Sequence, residues 1–147
     1  MKKVLLLALL IATTVLYGCT KSTIENSSVS IYSVDIEALN NNKILNIIHD
    51  DSLEEGIYKI TTDNNIYIFF KGLKNEYLDI SSKLDNKTLI VYCNSSPSLK
   101  NTNKLYVIRE KNTTSSGTKN MLFDEILLRV NNKEVSFIKS INLISYK

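Results

Sequence analysis

The sequence has no tryptophan, one proline, four glycines, one histidine and two cysteines in 147 residues. Each scarcity removes a class of chemistry. A lone histidine, His49, excludes a metal site built on several imidazoles and leaves little room for a Ser-His-Asp arrangement. The few glycines form no G-x-x-x-x-G-K-[ST], no G-x-G-x-x-G and no G-x-S-x-G, so neither a phosphate-cradling loop nor an esterase-type nucleophile elbow is supported. A bias of charge is also missing. The formal net charge is +3, and setting aside Lys2 and Lys3 leaves 16 basic against 15 acidic residues, interspersed along the chain. No electrostatic footprint for nucleic acid remains.

What is present begins at the first residue. Lys2 and Lys3 precede an apolar run over residues 4–16, and Gly18 and Cys19 close it. A basic start, about 13 apolar residues and a small residue make an export signal, too short for a stable membrane-spanning helix. The four residues "LYGC", Leu16 to Cys19, resemble the bacterial lipobox, with Tyr17 departing from the small residue usual at its position. The resemblance implies a diacylglyceryl group on the Cys19 sulfur, cleavage before Cys19 and a protein anchored by lipid on the extracytoplasmic face of the cell membrane. An ordinary secretory signal and an uncleaved N-terminal anchor are the alternatives. Residues 1–18 are thus expected to be a signal peptide, residues 19–28 a lipidated polar tether, and residues 29–147 a single domain.

Within that domain, β-prone runs recur about every ten residues, at 29–36, 56–62, 66–71, 76–81, 88–93, 105–110, 124–130 and 134–138, with 141–146 as a further candidate. Asn- and Asp-bearing turns at 62–65, 84–87 and 130–133 read as tight hairpins, since these residues tolerate left-handed backbone angles. The expected fold is mainly β: an antiparallel β-sandwich or partly open barrel of about eight strands with one short helix. The helix is placed between residues 37 and 50, where Ile44, Ile47 and Ile48 have helical spacing. Residues 66–70 and 89–93 are apolar on both alternating faces, and the helix is the available cover for the second face. "SLEE", Ser52 to Glu55, has the form of a capping box but meets Gly56 after one turn. The polar segments 94–103 and 111–120 are expected to be loops.

Few residues suggest chemistry. His49 and Cys93 are the one formal catalytic pairing, although Cys93, in the run "LIVYCN", also suits a small core residue. The carboxylates of Asp50, Asp51, Glu54 and Glu55 suggest a cation site but lack the alternating spacing that aims oxygens at one centre, and a solvated turn explains them as well. Tyr58, Tyr67, Phe69, Tyr92 and Tyr106 either align as a recognition stripe or pack as ordinary half-buried sheet residues. No cofactor is implied.

From Gly56 onward, the order "EGIYKI", "YIFFKG", "EYLDISSKLDNKTLIVY", "SSP", "LYVI" and "VNNKEVSF" resembles the C-terminal β-domain of the protease-complex stability subunit family. The family's Gly-Gly-Tyr motif is reduced to "KNEY", Lys74 to Tyr77, which keeps only the tyrosine. The resemblance covers about the last 90 residues and implies a non-catalytic exported domain that supports a partner protein. The sequence therefore leads to two expectations: an accessory module binding or stabilising an envelope or secreted protein, or an immunity or sequestering lipoprotein that intercepts a peptide or cell-wall fragment. An enzyme centred on His49 is the weaker third.

Overall fold

A computed structural model of the protein describes residues 29–110 and 121–145. The leader, Cys19, the tether and the expected loop at 111–120 lie outside the described residues. The domain is mainly β: the described residues form nine strands in two mixed sheets and one helix, in a sandwich-like arrangement without barrel closure among them.

The larger sheet has the order β1 (Val29–Val34), β6 (Thr102–Glu110), β3 (Ile66–Gly72), β2 (Gly56–Thr61) and β9 (Lys139–Asn142). The smaller has β4 (Asn75–Asp85), β5 (Thr88–Pro97), β7 (Glu125–Val130) and β8 (Lys133–Val135). Strand pairing is largely antiparallel, as expected; β9 on β2 and β7 on β5 are the parallel pairs.

The three expected hairpins form where asparagine permits them. Asn131 and Asn132 both have positive φ, 51° and 63°, as a two-residue type I′ turn requires, and β7 runs through it into β8. Asn86, at φ 52°, turns β4 into β5. Between β2 and β3, the Thr62 N–H donates to the Asn65 carbonyl at 2.9 Å, and the Asn65 N–H donates to the Thr62 hydroxyl at 3.0 Å.

β3 is buried at all seven positions, and its alternation builds two cores. Ile66, Ile68 and Phe70 face the smaller sheet and pack with Ile57, Leu89, Val91, Ile108 and Leu128. Tyr67 and Phe69 face the opposite way, into a second core with Ile44, Ile48, Tyr58, Ile60, Leu105 and Val107. That second face is covered by the helix α1 (Asn42–Ile48), within the expected interval. Asn41 caps it, its side-chain oxygen accepting the Ile44 N–H at 3.2 Å. Seven residues are too few for an isolated helix, so burial of Ile44 and Ile48 supplies its stability.

Three expectations need correction. The helix covers β3 but not β5, whose Ile90 and Tyr92 stay half-buried on the outer face of the smaller sheet. Residues 94–103 are not one loop: Asn94–Pro97 extends β5 against Asn75–Leu78, and Thr102–Asn103 belongs to β6. Backbone pairing needs no apolar side chains, so the polar composition hid these extensions. Ser52–Glu55 forms no helical turn, and its residues are spent on other contacts described below.

Gly72 ends β3 where the chain crosses to the other sheet. A Cβ there would collide with the Asn75 carbonyl and the Thr102 side chain, so this corner requires glycine.

Phe70 lies between the sheets with the rings of Tyr77 and Tyr106 at 5.5 and 5.7 Å. Phe70→Ala removes a fully buried ring that touches both sheets and is expected to cost about 3–5 kcal/mol of stability, measured by urea unfolding.

Candidate functional site

The structure separates the two residues of the formal catalytic pairing. Cys93 sits in the core between the sheets, 5% exposed and free of disulfide. His49 caps the C-terminus of α1, exposed, its backbone N–H donating to the Leu45 carbonyl at 2.9 Å. The five-stranded sheet stands between those layers. Burial also pushes the Cys93 thiol up to about 11, the reverse of what a nucleophile needs.

The carboxylates after α1 do not converge on a centre. Asp50 accepts the Ser52 N–H at 2.9 Å and the Ser52 hydroxyl at 2.6 Å. These bonds, hydroxyl first, hold its carboxyl below the ordinary aspartate value. Glu55 reaches across to the turn after β3, accepting the Asn75 side-chain and backbone N–H groups, both at 2.8 Å, and the Lys74 N–H at 3.2 Å. Glu54 contributes its carbonyl, which accepts the Tyr58 hydroxyl at 2.8 Å. Among the described residues, no group of three or more His, Cys, Asp or Glu side chains is placed to hold a metal ion. This acidic segment acts as a set of clamps between the helix layer and the strand ends.

Nor do the aromatics form one stripe. Tyr58, Tyr67 and Phe69 belong to the core under α1, Tyr106 packs against the core between the sheets, and Tyr92 lies on the outer face of β5. Alternation along each strand distributes them over three surfaces.

Lys71 is a residue that composition did not single out. It is 4% exposed, and its ammonium donates to the Asp50 carbonyl at 2.6 Å, just beyond the end of α1. A buried cation of this kind is tolerated because it meets carbonyl oxygen, and it ties β3 to the helix layer. The signal was a lysine ending an apolar strand, "IYIFFK", in phase with Tyr67 and Phe69.

Two hollows remain. One, of about 340 Å³, lies at the end where the described chain begins, among Ile66, Ile108, Arg109, Glu110, Met121 and Phe123. Its charged groups are engaged: Arg109 lies over the Tyr32 ring, and Glu110 accepts the Leu122 N–H at 3.0 Å. The other, an open groove of about 590 Å³, lies at the opposite end of β1, where the strand runs into Asp35, Ile36 and Glu37. Val34, Ile48 and Leu105 give it apolar lining, and His49 and Lys104 also border it. Lys104 is neutralised by Glu76 at 3.1 Å and bonded to the Tyr77 carbonyl at 2.7 Å. Asp35 and Glu37 leave the groove an acidic rim. No family model, curated protein or solved structure matches the chain.

Cys93 is expected to resist thiol reagents in the native protein and to react fully once urea unfolds it. For Glu55, burial opposes ionisation, but the hydrogen bonds from Asn75 and Lys74 outweigh it and depress the carboxyl. Its stabilisation is therefore complete above the unfolded glutamate value, about 4.3. It is lost as pH falls through the lower folded value. Unfolding curves of Glu55→Gln against the parent should differ most near neutrality and converge in acid.

Proposed function

We propose that this chain is an exported lipoprotein, held by lipid on Cys19 at the extracytoplasmic face of the cell membrane, whose β-domain binds or stabilises another envelope or secreted protein without chemistry of its own. The observation that carries the proposal is the basic, apolar, Gly18-Cys19 leader followed by a polar stretch that reaches the domain at Val29. Two acyl chains, at about 0.8 kcal/mol per buried methylene, hold a protein on a bilayer where one chain is marginal. An anchor of this sort suits a domain whose work is to be present at the surface.

The employment of the reactive side chains supports the non-enzymatic part. Cys93 is core, His49 is a helix cap, and the acidic residues clamp loops. The resemblance of residues from Gly56 onward to the protease-complex stability subunit family points the same way, since it implies a supporting domain.

The test is affinity capture of the intact protein from its native membrane, with mass spectrometry of the N-terminal peptide and of co-purifying proteins. Diacylglyceryl on Cys19 and a stoichiometric protein partner are expected, and Cys19→Ala should abolish the lipid. An unmodified Cys19 overturns the anchoring. Turnover of an envelope substrate, lost on a single side-chain change that leaves the protein folded, overturns the non-enzymatic role.

A further inference from the structure

Four strands lie at sheet edges, and three carry the usual protections against pairing with another chain. β9 has four residues and begins with Lys139; β8 has three, all exposed, including Lys133 and Glu134. β4 is broken by a bulge between Leu78 and Ser81, with Asp79 at φ 51°, and carries three charged residues besides Asp79, namely Glu76, Lys83 and Asp85. β1 differs. Its six residues, "VSIYSV", hold no charge and no proline, and they pair with β6 in unbroken register from Val29↔Glu110 to Val34↔Leu105. Among the described residues nothing pairs with its outer edge. Ser33 and Tyr32, the latter 41% exposed, stand beside it. The acid-rimmed groove continues from its C-terminal end.

We propose that β1 is a strand-addition site for an extended peptide segment of a partner protein, with a basic side chain of that segment seated at Asp35 and Glu37. Main-chain hydrogen bonds to β1 supply the sequence-tolerant part of such binding. The groove supplies selection: apolar contact with the partly exposed Val34 and Ile36, and charge complementarity at the rim. A second copy of this chain fits less well. Antiparallel pairing of two β1 strands would set each acidic rim against the residues before Val29 of the other copy, "ENSS", which bring Glu25 and no base. The inference rests on the proposed accessory role and specifies the chemistry of its partner.

The probe is an acetylated, amidated octapeptide of alternating valine and lysine, titrated into the intact protein in detergent and followed by anisotropy and amide hydrogen exchange. Binding is expected to slow exchange in β1 and to be about tenfold weaker for the valine-glutamate counterpart. The double variant Asp35→Asn, Glu37→Gln should erase that preference while keeping the fold. The lysine peptide N-methylated at every residue retains the charge but has no backbone N–H along the strand to donate, so it should not bind. Equal binding of the methylated peptide, no binding of any peptide, or concentration-dependent dimers that protect β1 without peptide would each overturn the proposal. These failures are distinct from those of the accessory role, because a captured stoichiometric partner with no peptide binding at β1 overturns the strand-addition site alone. Peptide binding by a protein lacking lipid on Cys19 overturns the anchoring alone.

Discussion

A strand that is buried at every position must be covered twice. Ile66–Gly72 has hydrogen-bonded neighbours on both sides, β2 and β6, and apolar residues on both faces, so neither a single sheet nor a two-sheet sandwich alone would shield it. The smaller sheet covers Ile66, Ile68 and Phe70; α1 and its flanking residues cover Tyr67 and Phe69. The remaining contacts serve this double cover. Lys71 ties the strand to the carbonyl beyond α1, and Glu55 ties the segment after α1 to the turn that leaves the strand. Each fully buried side chain of this size contributes on the order of 1.5–3 kcal/mol, and β3 contributes to both cores at once.

Features settled by a residue's own backbone were legible in the sequence. Asn86, Asn131 and Asn132 announced turns because their side chains tolerate positive φ, and Ile44, Ile47 and Ile48 announced a helix because their spacing matches one turn. Features settled by partners elsewhere were not. That Asn94–Pro97 is strand depends on the ladder offered by Asn75–Leu78, and that β7 runs parallel to β5 depends on the route of the intervening chain. The aromatic residues show the boundary clearly. Their alternation is visible along each strand, but whether Tyr58 and Tyr106 share a surface depends on which layer packs on which face, a tertiary property.

The same distinction explains why the candidate chemistry dissolved. His49 and Cys93 are both plausible as types, but a whole sheet separates their layers. The acidic run after α1 is dense in sequence and dispersed in space, since Asp50 turns back on Ser52 while Glu55 reaches forward to Asn75. What stands out instead is an unprotected strand edge that continues into a groove: the uncharged, proline-free run "VSIYSV" is visible in the sequence, but its place at the edge of a sheet is a tertiary property.

The position of Val29 at the start of β1 has a mechanical consequence. A force applied at Val29 along the strand axis loads β1 directly. β1 is held to β6 by a ladder running the length of the strand in antiparallel register, so such a pull shears all of its rungs together instead of opening them one by one. A load along β1 is therefore met by six residue pairs acting in parallel.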